Sequence, residues 1–227
     1  MIAARVVAVV ASVFVSAGLA GGVGPAAAGP AACAAGNPLQ PTAELFATDN
    51  TATITDPQDE RLRNRLAGFE LAVGAIAVQH IGLPVGSTLV SGVFWSDERR
   101  QATYERSREF HLACVGSADL RRIADQVRTR YRQESVLTFQ RLAANSPEAD
   151  AVTVTVAGID VQRFRDGLVA DPVARERLVG GSVTEAGTLI LVVDIADVEL
   201  AQRFVAKLGG TWDAHSVQYG DREFVSA

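Results

Sequence analysis

The sequence predicts an α+β chain built from two tandem βαββαβ modules whose sheets pack face to face. Three observations carry that prediction. The order strand, helix, strand, strand, helix, strand is legible twice after residue 42. Asn145-Ser146-Pro147, inside the 144–150 segment, marks a linker between the two runs. Residues 189–195 read Leu-Ile-Leu-Val-Val-Asp-Ile, apolar in both alternation phases, and a strand apolar on both sides is buried on both sides.

In the first module, 44–47 and 51–55 are strand-like, with Asp49-Asn50 as a turn or bulge between them. Asp56-Pro57 opens a helix, Asp as N-cap and Pro in the first turn. Leu62, Leu66, Phe69, Val73 and Ile76 then recur at steps of four and three, one apolar stripe on an amphipathic helix. Gly82, Pro84 and Gly86 end it. Strands follow at 88–95 and 108–115, and the charged interval 96–107 between them is expected to be an exposed hairpin tip. Ser117 caps a second helix with Leu120, Ile123, Val127 and Tyr131 on its buried side, and 135–142 is the closing strand.

The second module starts with a strand at 152–157 and a helix capped by Asp160, with Phe164 and Leu168 facing inward. Asp171-Pro172 restarts a helix towards Leu178. Strands at 182–185 and 188–195 flank Ala186-Gly187, and Asp197 caps a helix bearing Leu200, Phe204 and Leu208. The chain closes with a strand at 212–218, and Gly220-Asp221 turns into a last short strand at 223–225. The repeat lies in element order, not in residue identity.

Two such units imply two ferredoxin-like sandwiches, 43–146 and 147–227, each with helices on one sheet face. The uncovered face of each sheet needs a partner. Packing one sheet on the other resembles the dimeric α/β-barrel superfamily, fused here in one chain. Glu44-Leu45-Phe46, Gly92-x-Phe94-Trp95 and the run from Tyr131 to Leu137 also make 43–140 resemble an uncharacterised bacterial domain family, often exported. That resemblance implies fold and export, and no activity.

The N-terminus predicts the compartment. Arg5 is the only charge before a long apolar run, and Ala26-Ala27-Ala28 offers a small-x-small cleavage site. Residues 1–28 therefore read as a secretory signal peptide, and 29–42 as a flexible tether. Gly and Pro interrupt the apolar run too early for a stable membrane span. The expected location is secreted or attached to the cell envelope. In an oxidising space Cys33 and Cys114, the two cysteines of the chain, form a natural disulfide pair. A closed loop of that length is worth roughly 4 kcal/mol in the chain-entropy account. The alternative, lipidation at Cys33, ranks second because Pro30 occupies the place where lipoprotein signals usually carry Leu.

Charge excludes a nucleic-acid partner. Residues 40–146 carry thirteen basic and thirteen acidic side chains, and 147–227 carry seven and thirteen, so neither half is net basic. The catalytic signatures G-x-S-x-G, C-x-x-C, H-E-x-x-H and the P-loop are missing, and the spacing of His80, His111 and His215 recommends no metal site and no cofactor. Alternation in 108–115 sets Phe110, Leu112 and Cys114 on one face and Glu109 with His111 on the other. If the apolar face meets the helices, Glu109 and His111 point between the sheets, where an imidazole can bind a ligand or move a proton. Glu134, His215 and Tyr219 are weaker candidates of the same kind. The leading expectation is a non-catalytic module that binds a small molecule or a protein partner, through the inter-sheet space or the 96–107 hairpin. The alternative is a cofactor-free enzyme, an oxygenase or isomerase acting between the sheets.

Overall fold

The computed structural model describes residues 39–227. The expected signal peptide, most of the tether and Cys33 lie outside the described residues. Eight strands form the framework: β1 (Ala43–Ala47), β2 (Leu83–Ser96), β3 (Gln101–Ala113), β4 (Ser135–Arg141), β5 (Ala151–Ala157), β6 (Gly180–Thr184), β7 (Thr188–Asp194) and β8 (Val217–Ser226). Five α-helices accompany them: α1 (Ala67–Gln79), α2 (Ser117–Tyr131), α3 (Val161–Ala170), α4 (Pro172–Leu178) and α5 (Val198–Lys207). Among the described residues no helix is long and apolar enough to cross a membrane.

The strands do not make two sheets stacked face to face. They close into one antiparallel barrel in the order β1-β3-β2-β6-β7-β5-β8-β4, with β4 returning to β1. This corrects the fold expected from the sequence. Face-to-face packing would leave four sheet edges with bare N–H and C=O groups, whereas closure removes every edge. The edge of β2 takes β6, from Val90 opposite Thr184 to Phe94 opposite Gly180. The edge of β4 takes β8, from Ser135 opposite Ser226 to Arg141 opposite Gly220. The two halves of the chain are thus joined by backbone ladders, and side-chain packing adds to them: Val93 and Tyr104 of the first half share a core with Phe164 and Leu189 of the second.

The double-sided apolar strand has a matching explanation. Leu189, Leu191 and Val193 of β7 pack under the helices of the second half, in a core that includes Phe164, Leu168 and Phe204. Ile190, on the other phase, faces the barrel interior. A second core covers β1 and β3 with α1 and α2, around Leu45, Phe69, Phe110, Ile123 and Val127. Edge-on ring pairs, Phe69–Phe110 at 5.7 Å and Phe164–Phe204 at 6.1 Å, mark the two centres.

Local differences have local causes. The helix expected from Asp56 starts only at Ala67. Before it stands a single 3-10 turn, Glu60–Arg63, capped by the Asp59 carboxylate, and Leu66 takes a left-handed φ of 52° that breaks helix continuity. The 51–55 strand reduces to one bridge, Ile54 with Tyr104. The 96–107 hairpin tip is much shorter than expected, because β3 already begins at Gln101 and Ala102, Tyr104, Arg106 and Ser107 are buried. Asp97, Glu98, Arg99 and Arg100 at the tip are exposed as expected, but Arg106 is buried and pairs with Glu185. Ser117 does not cap α2, whose cap is Gly116 without a side-chain bond, while Asp160 and Asp171 do bond the first turns of α3 and α4.

At the C-terminus β8 runs straight through Gly220-Asp221 as one strand. A Cβ at Gly220 would stand 2.3 Å from the Gln140 carbonyl oxygen and 2.5 Å from the Phe139 ring. Glycine there lets Phe139, fully buried, fill the barrel beside the β4–β8 seam.

Candidate functional site

An eight-stranded barrel has an interior just wide enough for side chains to fill, so its contents are set by which residues point inward. Directly paired residues share a face. Thr88 pairs with Glu109, and Glu44 pairs with His111, so β1, β2 and β3 send these four side chains to the same side of the wall. Phe110 and Leu112, between and beyond them, go outward into the α1–α2 core. Glu109 and His111 therefore stand together, inside the barrel rather than between two sheets.

They line a cavity of about 440 Å³ at the mouth where β3, β4, β5 and β6 end. The first half of the chain contributes Glu44, Thr88, Glu109, His111 and Arg141. The second half contributes hydroxyls, from Thr153, Thr155, Thr184, Thr188 and Ser216, together with Ile190 and the rim residues His215 and Gln218.

Glu44 is 2 % exposed and receives Arg141 Nε at 2.6 Å on Oε1, with Nη2 of the same guanidinium on the same oxygen. Its second oxygen, Oε2, is buried without a hydrogen-bond partner. Thr153 Oγ1 and His111 Nδ1 are in the same condition. His111 Nε2 lies 3.2 Å from Thr88 Oγ1 and 3.9 Å from Glu109 Oε2. Buried polar atoms are nearly always paired, so three orphans among the residues lining one cavity are a strong feature.

The electrostatics follow from burial. Desolvation pushes the Glu109 carboxyl up to about 7, the nearby Glu44 carboxyl adds to the rise, and Arg141 opposes it. Burial also pushes Glu44 up, against the hydrogen bond and charge of Arg141. His111 is pushed below its ordinary value, first by burial and then by Arg141. Near neutral pH the mouth therefore holds a half-protonated carboxyl beside a neutral imidazole, an arrangement able to accept or give a proton.

The other candidates from the sequence are scattered. His215 lies at the rim of the same cavity. Glu134 is exposed, at the opposite end of the barrel beside a cavity of about 260 Å³. Tyr219 does not line the mouth, and His80 bonds Gln126 at the end of α1. Among the described residues no cluster of three or more His, Cys, Asp or Glu could hold a metal ion. Cys114 directly follows β3 at φ 59°, and no free cysteine occurs among the described residues. Because Cys33 lies outside them, its pairing with Cys114 stands as an expectation.

Glu44, Arg141 and Thr153 were not singled out by sequence reasoning. Glu44 did carry a signal: it is the one charge in Ala43–Ala47, a strand buried on both faces. Arg141 carried none, since a charged residue ending a strand normally reaches solvent. No protein-family model matches the chain, and no curated protein or solved structure is significantly similar to it.

Proposed function

We propose that the barrel is a small-molecule binding protein whose ligand enters the mouth lined by Glu44, Glu109, His111, Arg141 and Thr153. The observation that carries this is the set of buried, unpartnered polar atoms on residues that line a cavity of about 440 Å³. A concave site with a few convergent polar groups and a displaced carboxyl pKa is the usual form of a ligand site. Unpaired buried groups cost stability, so they persist where a bound molecule satisfies them. Export, with Cys33 and Cys114 bonded, remains part of this reading.

Mass spectrometry of the purified protein under native conditions tests it. A co-purifying molecule that is lost from His111→Ala, with folding retained, supports the site. Unchanged retention removes His111 from it.

One observation favours a second reading. Glu109 titrating at about 7 beside a neutral His111 suits a cofactor-free proton-transfer enzyme. Turnover of the co-purified molecule, abolished by Glu109→Gln with binding retained, would decide for catalysis.

A further inference from the structure

We infer that the ligand of this cavity is a small organic cation, whose ammonium group sits between Glu44, Glu109 and Thr153. The inference rests on the mouth being a small-molecule site and specifies what that site selects. Two carboxyl groups face the cavity with one guanidinium, and that guanidinium is already engaged: both Nε and Nη2 of Arg141 are turned to one oxygen of Glu44. Glu44 Oε2 is left as a buried acceptor without a partner on a residue that lines the cavity, and the hydroxyl of Thr153, a lining residue 6 % exposed, is a second unpaired group.

Glu109, also 6 % exposed, makes no ion-pair contact among the described residues beyond His111 Nε2 at 3.9 Å, and the charge of Arg141, which reaches it, does not offset burial. The groups facing it are Glu44 from β1, Thr88 from β2, Arg141 from β4 and His111 from its own strand, with His215 at the rim. What this wall lacks is a positive charge free to face Glu109, since its hydroxyls and the imidazole donate and accept hydrogen bonds without carrying charge near neutral pH. An ammonium group supplies three N–H donors and that charge. A carboxylate or phosphate would instead bring a third negative group beside two acids whose only arginine is spent. A neutral polyol could satisfy the acceptors but would leave Glu109 without a counter-charge. Ile190 and the threonine methyl groups offer apolar contact for the carbon skeleton of the ligand.

A linkage follows. A bound cation favours ionised Glu109, which is half-protonated at about 7 in the empty protein, so binding releases a proton and strengthens as pH rises. The test is calorimetric titration of the mature protein with three probes of similar shape: benzylamine, benzyl alcohol and benzoate. Benzylamine should bind at least ten-fold more tightly than benzyl alcohol at pH 8. Its affinity should fall about ten-fold from pH 8 to pH 6, with heats that differ between phosphate and Tris buffers because a proton leaves. Glu109→Gln should flatten that pH profile, and if the variant does not fold, the buffer comparison on the wild type decides alone. Benzoate or benzyl alcohol binding as tightly as benzylamine, or no proton release, overturns the cation assignment and leaves small-molecule binding standing. Failure of all three probes at millimolar concentration overturns both.

Discussion

The two halves of the barrel repeat one element order but fill its interior with different chemistry. Glu44, Glu109, His111 and Arg141, all from the first half, bring the buried charges to the mouth, and the second half answers with threonines. The contrast is sharpest between the paired strands. Where β1 and β3 set Glu44 opposite His111, β5 and β7 set Thr155 opposite Ile190. Apart from the exposed His215 at the rim, the first half thus supplies the ionisable groups, and the second a wall that can hydrogen-bond without adding charge. A duplicated element order therefore need not duplicate a site, because each strand face is free to vary once the ladder is fixed.

Separating the halves should have the largest effect. Residues 147–227 expressed alone lose the β2–β6 and β4–β8 ladders and expose both edges. The fragment should aggregate or stay unfolded by circular dichroism and gel filtration. A soluble, cooperatively folding fragment would show that closure is not what holds the halves.

Next comes Glu109, through its pH dependence. Its folded pKa lies above the unfolded one, so its contribution is fully present below the ordinary carboxylate range and is lost as pH rises through about 7. Glu109→Gln should match the wild type near pH 4 and exceed it at pH 8, by up to about 3 kcal/mol. Denaturant melts at the two values check this, and equal differences at both would refute it.

Glu44→Gln weakens the partner of Arg141. Breaking a buried pair costs roughly 3–5 kcal/mol, but Arg141 is 28 % exposed and can reach water, so about 2 kcal/mol is expected. Ile190→Val, across the cavity in the second half, should cost about 1 kcal/mol. If the two changes cost the same, the division between a charged and a packing half is wrong.

The sequence reveals strands and helices in this protein better than their assembly. Alternation in β3 was enough to put Glu109 and His111 together on the face away from Phe110 and Leu112. Apolar spacing found the buried faces of α2, α3 and α5. Barrel closure was not legible, because it depends on which edges bond, and strands such as β2 and β6 pair across nearly a hundred residues without any local mark. Leu189 to Leu191 and Val193 are buried across both phases as expected, but Ile195, past the end of β7, is exposed, and a helix layer plus a barrel interior produces the same pattern as two stacked sheets. Glu44 and Arg141 were missed for the same reason: their meeting is a matter of register between β1 and β4. Polar alternation in 101–107 looked like an exposed tip because its apolar partners are few, although Arg106 is held by Ser91 and Glu185.

The central claim is that a carboxyl group buried without an adequate counter-charge opens on the barrel mouth. Carboxyl carbon NMR of the protein, with Glu109 assigned from the loss of its signal in Glu109→Gln, measures it directly across pH 3 to 9. Glu109 should titrate at about 7 in the ligand-free protein. Titration in the ordinary carboxylate range would contradict it, and with it the assignment of the mouth as the site.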